Sequence, residues 1–331
     1  MAGATMDVAL SGEMPRKVVF LLVPDFSMMA FMSAIEPLRG ANRMARAPRY
    51  EWQIVSLDGA RVRASNGIAL DVEGDMGATD PCDMLVVCAG LHPERQVSPA
   101  LISSIKRWRK TARKIGGICT GSHILARAGL LDGYRCTIHW EDISSFAETF
   151  PDIAISSRLF EIDRDRFSCS GGVAPLDMMV NFIARDYGRS LATQVSELLL
   201  HPQAREASAP QRIGLSYRTG VYHPKLLAVI GAMEDSIEAP RPLGELADEA
   251  QLSGRQMERL FQSHFGQTPQ RYYMDLRLYR ARHLLRHTAM PIVEVALAAG
   301  FGSSAHFAKT YRGAFGHTPR DERALGGPLP T

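Results

Sequence analysis

Residues 246–273 read LADEAQLSGRQMERLFQSHFGQTPQRYY, and residues 295–323 read VALAAGFGSSAHFAKTYRGAFGHTPRDER. Each begins as a short apolar helix, passes through a small-residue turn, and restarts at a serine. At the start of the first, Leu246 and Ala247 share one face with Leu243 just upstream, and Ala250-Gln251-Leu252-Ser253 forms the turn. Ser253 is a good N-cap, because its hydroxyl can accept from the free amides of the next turn. Met257, Leu260, Phe261 and Phe265 then recur at helical spacing and face a core. Ser303 opens the corresponding helix of the second stretch, whose buried stripe is Phe307, Tyr311 and Phe315. Gly266-Gln267-Thr268-Pro269 and Gly316-His317-Thr318-Pro319 end the two helices alike. A glycine closes one helix, and a threonine and a proline start the next. An internal repeat that extends to its exit motif predicts two copies of one helix-turn-helix unit.

The helix expected between the units spans about Pro269 to His287. At 1.5 Å per residue it is about 28 Å long, close to the ~34 Å between successive major grooves on one face of a duplex. One chain could thus place two recognition helices in adjacent grooves of double-stranded DNA. The polar faces of those helices carry Arg255, Glu258, Arg259 and Gln262 in one, and Ser304, His306, Lys309 and Arg312 in the other. An ordinary solvated face is the competing reading of such arginines, and Glu258 could instead pair with Arg255 or Arg259 along its own helix.

Working upstream, the character changes. From Lys17 to about Pro202 short β-type runs alternate with helical stretches. Lys17–Val23, Tyr50–Leu57, Asp83–Cys88, Lys114–Ile118 and Phe167–Cys169 read as strands. Ser27–Met44, Val97–Arg113, Ser122–Ala128, Pro175–Tyr187 and Leu191–Leu200 read as helices. The continuous apolar strands and the alternation predict an α/β domain, a doubly wound parallel sheet with helices on both faces, followed by an all-α domain. The polar stretch HPQAREASAPQRIGLSYRTG (201–220) lacks apolar periodicity and reads as an interdomain linker. The expected organisation is a tail at 1–16, one domain at 17–202, a linker at 203–220, a second domain at 221–323 and a tail at 324–331. A length of 331 residues suits two domains, and 46% apolar with 22% charged residues is ordinary globular composition. The net charge of +3 is uninformative, so any nucleic-acid signal lies in where the charges sit.

The five cysteines, Cys82, Cys88, Cys119, Cys136 and Cys169, form no CxxC pair and read as reduced thiols. No signal-peptide pattern and no span of about 18 apolar residues is present, so the expectation is a soluble cytoplasmic protein with no membrane association. No cofactor or metal site is indicated. Gly117-Ile118-Cys119-Thr120-Gly121 joins a strand to a helix with small residues on both sides of a cysteine. The small neighbours permit a sharp turn, and the helix N-terminus beyond favours a thiolate or a bound anion.

The second domain resembles the DNA-binding domain of the AraC/XylS family, on the two stretches quoted at the outset. By that resemblance Arg255, Glu258 and Arg259, and Ser304, His306 and Lys309, reach bases or nearby phosphates. The elbow resembles that of PfpI-like proteins and class I glutamine amidotransferases, which implies a flavodoxin-like fold. The catalytic partners are missing: Thr120 follows the cysteine where PfpI-like hydrolases place histidine, SCSGGVAP lacks the amidotransferase His-x-Glu, and only Asp25 follows the first strand. No catalytic residue is therefore assigned, and the chain is not read as an enzyme. A cysteine-dependent amidase or glyoxalase-type enzyme fused to a DNA-binding domain stays as the alternative. Together the two domains resemble the GlxA family of regulators, in which the hydrolase-like pocket senses a small nitrogenous metabolite.

The stretches SAIEPLRGANR and VSLDGARVRASNGIAL look most like members that respond to glycine betaine, dimethylglycine or carnitine, with an arginine-responsive member as rival. The pocket expected on this basis uses Cys119, and the amides of Thr120 and Gly121 for a carboxylate. Trp140 and Phe26 would wall a quaternary ammonium. Glu36 or Asp25 would pair with a guanidinium, unless Glu36 pairs with Arg39. Activation, contact with RNA polymerase and a homodimer complete the expectation, with the helices at 175–187 and 191–200 as the offered dimer face.

Overall fold

The computed structural model describes residues 14–77, 81–212, 214–288 and 290–325. The expected tail at 1–16 lies almost wholly outside them, and that at 324–331 mostly so. The chain divides into two compact units, with the division between Gln211 and Arg212.

The first unit contains strands β1 (Arg16–Leu22), β2 (Tyr50–Ser56), β3 (Val62–Arg63), β4 (Ala69–Leu70), β5 (Gly74–Asp75), β6 (Cys82–Cys88), β7 (Ala112–Ile118), β8 (Arg135–Thr137), β9 (Ala154–Ser156), β10 (Phe160–Asp163) and β11 (Arg166–Cys169). Its helices are α1 (Met28–Ala45), α2 (Pro93–Gln96), α3 (Pro99–Trp108), α4 (Gly121–Arg127), α5 (Ile143–Thr149), α6 (Ala174–Tyr187) and α7 (Arg189–Leu198). Seven strands form one sheet in the order β10-β11-β7-β6-β1-β2-β5. All neighbours are parallel except β10 and β11.

β1 shows why the sequence dictates this layering. Side chains alternate across a strand, and Val18, Phe20 and Leu22 enter one core while Val19, Leu21 and Val23 enter the other. A strand covered on both faces must be apolar throughout, which is the run that was legible in the sequence. The helices α1, α6 and α7 pack on the first face, and α3 and α4 on the second. The apolar stripes of α6 and α7, including Val180, Phe182, Ile183 and Val195, are buried in the first core. The faces that looked available for a dimer are thus spent inside the domain, whereas Leu200 lies beyond α7 and is exposed.

Two sequence readings need correction. Helix α3 ends at Trp108, and the chain is already in β7 at Ala112, so the helix expected to Arg113 is shorter. The last core strand is not a lone parallel strand. β11 returns antiparallel from β10, pairing Ile162 with Phe167.

The segment expected to be a linker carries structure. The Leu159 amide donates to the carbonyls of Ala207 and Ala209 at 3.0 and 3.1 Å, which fixes this stretch to the first unit. Beyond the division, α8 (Leu215–Thr219) and α9 (Pro224–Asp235) open the second unit. The two helix-turn-helix units follow. The first is α10 (Leu243–Glu249) and α11 (Gly254–Phe265), and the second α13 (Ile292–Ala298) and α14 (Ser304–Phe315), with α12 (Pro269–His287) between them and α15 (Pro319–Leu325) after them. Each unit has its own core, one around Met257 and Phe261, the other around Phe307 and Tyr311. α12 enters both, placing Tyr273 in the first and Leu278, Ala281, Leu284 and Leu285 in the second.

Candidate effector cavity and nucleic-acid interface

The elbow is built by close approach. A Cβ on Gly117 would meet the Gly121 carbonyl carbon at 2.5 Å, and one on Gly121 would meet the Val87 carbonyl oxygen at 2.3 Å. Glycine at both places lets α4 start directly against β6 and β7. Cys119, caught between strand and helix, takes φ 57°, a left-handed conformation that costs a non-glycine residue about 1–2 kcal/mol. The Thr120 hydroxyl donates to the Gly90 carbonyl at 2.6 Å and is buried. Gly171 lies on the other side of the cysteine, where its own Cβ would come 2.9 Å from that of Cys119.

The electrostatics of this site oppose the expected thiolate. Burial pushes the Cys119 thiol up to about 12, the carboxylates of Asp142 and Glu141 push in the same direction, and the Thr120 amide only partly offsets them. Burial likewise raises the Asp142 carboxyl to about 7, helped by Glu141 and Glu94. His139 Nδ1 lies 3.5 Å from Glu141 and 4.0 Å from Asp142, and burial depresses its basicity although Glu141 opposes this. Among the described residues no hydrogen bond joins His139 to Cys119, so no base is in place to activate the sulfur.

Beside the elbow is an open cavity of about 200 Å³, lined by His139, Trp140, Leu159, Ser170 to Ala174, Arg205 and Gln211. Trp140 is 40% exposed, with its ring 5.7 Å from that of His139. Phe26 is fully buried, edge-on to Phe31 at 5.9 Å, and does not line this cavity. Glu36 is also absent from the lining, and its Oε2 accepts from Arg39 Nη2 and Nε at 2.6 and 2.8 Å. Sequence reasoning missed Arg205 and Gln211, which sit in a polar stretch with no periodicity to mark them. The clue was Asp177, a carboxylate on the buried face of α6 that required a cationic partner. Its side chain is fully buried and binds Arg205 at 2.6 Å and His201 at 2.8 Å.

In the second unit, Ser253 accepts from the Gln256 amide, and Gln256 accepts from the Ser253 amide at 2.8 Å, a complete capping box. The cap directs the first turn of α11 outward, and Arg255, Glu258, Arg259 and Gln262 line an open groove with Ser253 and Thr268. No ion pair joins Glu258 to Arg255 or Arg259 among the described residues, so the intrahelical alternative is not realised. On α14, capped by Ser303, the side chains of Ser304, His306, Lys309 and Arg312 are exposed. The second unit's turn is bolted to α12: Arg277 donates to the carbonyls of Ala299 and Gly300 at 3.0 and 2.6 Å and stacks over Phe301.

Comparison with known proteins agrees with both halves of this description. The DJ-1/PfpI family matches residues 16–152, and the HTH_18 helix-turn-helix domain matches residues 246–324. The HTH-type transcriptional regulator GbdR of Pseudomonas aeruginosa is 44% identical over 315 residues, covering 95% of this chain and 86% of that protein. The HTH-type transcriptional regulator CdhR of the same organism is 44% identical over 306 residues, covering 92% and 91%. A crystal structure of an AraC family transcriptional regulator from Pseudomonas putida aligns with TM-score 0.51 and 35% identity over 56% of this chain and all of that one. These relatives are transcriptional regulators, which does not favour the amidase alternative. Among the described residues no helix is long and apolar enough to cross a membrane. With two family matches in this order and near-full-length likeness to such regulators, the chain belongs to the GlxA family of AraC-type transcriptional regulators, DNA-binding proteins that carry a DJ-1/PfpI-like domain ahead of the helix-turn-helix domain.

Proposed function

We propose that this regulator is gated by a small nitrogenous metabolite of the class of glycine betaine, dimethylglycine, carnitine or arginine, held in the cavity beside the Cys119 elbow. The observation that carries the reading is the cavity itself: about 200 Å³, walled by the half-exposed Trp140 and by Gly171, which packs against Cys119, although Cys119, Thr120 and Gly121 do not themselves line it. Trp140 offers its face to a cationic nitrogen. Cys119, Thr120 and Gly121 form the adjoining elbow. Phe26 is buried in the core and forms an isolated antiparallel bridge with Gly90, whose carbonyl accepts from Thr120, and Glu36, engaged with Arg39, lies outside the cavity.

On DNA, Arg255, Glu258 and Arg259 would read one major groove and Ser304, His306 and Lys309 the next. The 19 residues of α12, about 28 Å, support a footprint on adjacent turns. The regulator acts in the cytoplasm as a homodimeric activator that engages RNA polymerase. Calorimetric titration of the full chain with the four metabolites tests the reading. At least one is expected to bind, and Trp140→Ala should weaken it about tenfold. No binding by any of the four overturns the effector assignment.

A further inference from the structure

The chain that leaves α7 does not cross freely to the second unit. Residues 201–211 lie along the first unit as a strap with three attachments. His201 Nε2 and the Arg205 amide both meet Asp177 Oδ1, at 2.8 and 2.7 Å, and Arg205 Nε and Nη2 donate to Asp177 Oδ2 at 3.0 and 2.6 Å. The Leu159 amide binds the carbonyls of Ala207 and Ala209, beside an antiparallel bridge between Arg158 and Pro210. Gln211 Nε2 donates to Thr137 Oγ1 and to the carbonyls of Ile138 and Arg158, at 2.8, 3.0 and 2.8 Å. The next residue, Arg212, already belongs to the second unit.

Arg205 and Gln211 are also cavity residues, and each has hydrogen-bonding capacity left over. Gln211 Oε1 is buried with no partner. An unmatched buried acceptor costs about 1–3 kcal/mol, which an N–H or O–H from a ligand would relieve. Arg205 Nη1 makes no hydrogen bond among the described residues, and a guanidinium edge is a good donor site for a carboxylate. Across the cavity, Trp140 and the Gly171-Gly172 turn belong to the body of the domain.

We propose that the strap is the effector-reading element of this regulator. A small zwitterion binds between Trp140 and the strap, its carboxylate on Arg205 and its N–H or O–H donor on Gln211. The carboxylate competes with Asp177 for the guanidinium, so occupancy changes how firmly residues 201–211 are held and thereby the tether that enters the DNA-binding unit. The ligand shifts this equilibrium only as far as it prefers one state of the strap. The proposal rests on the cavity being the effector site, and it adds that ligands carrying a donor, such as dimethylglycine or carnitine, bind better than glycine betaine.

A reversible staple tests it. Pro210 has no amide N–H and the flanking bond runs from Leu159 to Ala209, so Arg158 and Pro210 form a non-hydrogen-bonded antiparallel pair. Such pairs lie within disulfide reach. The full chain carrying R158C and P210C is assayed on a duplex that the wild-type chain selects from a random pool, with dimethylglycine, L-carnitine, L-arginine and glycine betaine as probes. Equally oxidised wild type is the control. A probe that binds should change DNA affinity about fivefold or more in the reduced protein and not in the oxidised one, while still binding both. A full response in the oxidised protein overturns the proposal.

A second arm needs no ligand. Arg205→Gln should speed amide exchange across residues 201–211 about tenfold, and its DNA affinity should differ about threefold or more from that of the oxidised staple. Equal affinities overturn the strap as a coupling element. If none of the four probes binds but that difference is present, the strap stands and the effector assignment falls.

Discussion

A Cβ placed on Gly300 would lie 2.3 Å from the carbonyl oxygen of Ile237. Gly300 belongs to the turn of the second helix-turn-helix unit, and Ile237 to the loop that leads into the first. This contact, with the Arg277 bonds to the same turn, fixes the second recognition helix relative to the first. Gly300→Ala should therefore do two kinds of damage. Its φ of 74° disfavours an L side chain, and the added carbon forces the loop to move. A cost of about 1–3 kcal/mol is expected, visible as a lower thermal midpoint. The more specific outcome is a DNA footprint that keeps protection over one groove and loses it over the next. Wild-type protection over both grooves would show that α12 alone sets their spacing.

The exposed residues of the two recognition helices should separate by substitution. Arg255→Ala or Arg259→Ala should cost about 1–3 kcal/mol on the preferred duplex and relax sequence preference at one base pair, as expected for an arginine that reads guanine. Lys309→Ala should weaken all duplexes alike and lower the slope of log affinity against log salt by about 1 if its ammonium meets a phosphate beside the groove rather than a base. Affinity measured on matched and mutated duplexes at several salt concentrations distinguishes the two. A change in salt slope without a change in preference for Arg255→Ala would move that arginine to the backbone.

What could be read from the sequence follows from physics that is local. The run RKVVFLL specifies a doubly covered strand because both faces need apolar side chains, and the glycine, threonine and proline of G-x-T-P act within a single turn. The capping box of Ser253 and Gln256 is equally local. Features that depend on long-range pairing were not legible. The β10–β11 hairpin is an edge whose strands are four residues each, too short for periodicity to declare. The strap residues Arg205 and Gln211 look like linker because their partners, Asp177, Thr137 and Arg158, are distant in the chain. The protonation of Cys119 is not legible in sequence for a related reason. The small residues of the elbow are visible in sequence, but the burial that controls its acidity, and the carboxylates of Asp142 and Glu141, come from the folded chain.

That acidity makes a direct prediction. With its thiol near 12, Cys119 remains protonated through the neutral range, so alkylation by iodoacetamide should be about a thousandfold slower than for a free thiol of ordinary acidity. The sign is fixed by burial, which disfavours the charged form, and the rate should climb as pH rises. Cys119→Ser should leave DNA affinity and its response to effector within about twofold, since no step depends on a thiolate. Rapid alkylation at neutral pH, followed by mass spectrometry, would show that the cysteine is activated.

Glu322 provides the clearest pH test. Its side chain is fully buried against α12 and α14, where Tyr311 donates at 2.7 Å, His317 lies at 2.6 Å, Arg282 at 3.1 Å and Arg286 at 2.5 Å. Burial raises the carboxyl, but the Tyr311, His317 and two arginine hydrogen bonds outweigh it and lower it from 4.5 to about 2. A folded value below the unfolded one means stability that is present above about pH 4.5 and lost as pH falls toward 2, on the order of 3 kcal/mol. Glu322→Gln keeps the volume and removes the charge. It should lower the stability of the second helix-turn-helix unit at pH 7 by a similar amount, because two arginines lose their counter-charge. It should also flatten the acid limb of the stability curve between pH 5 and 2. Denaturant titrations across that range, followed by the fluorescence of a probe attached to α15, measure both. A variant whose acid limb overlays that of the wild type would place the titrating carboxylates elsewhere.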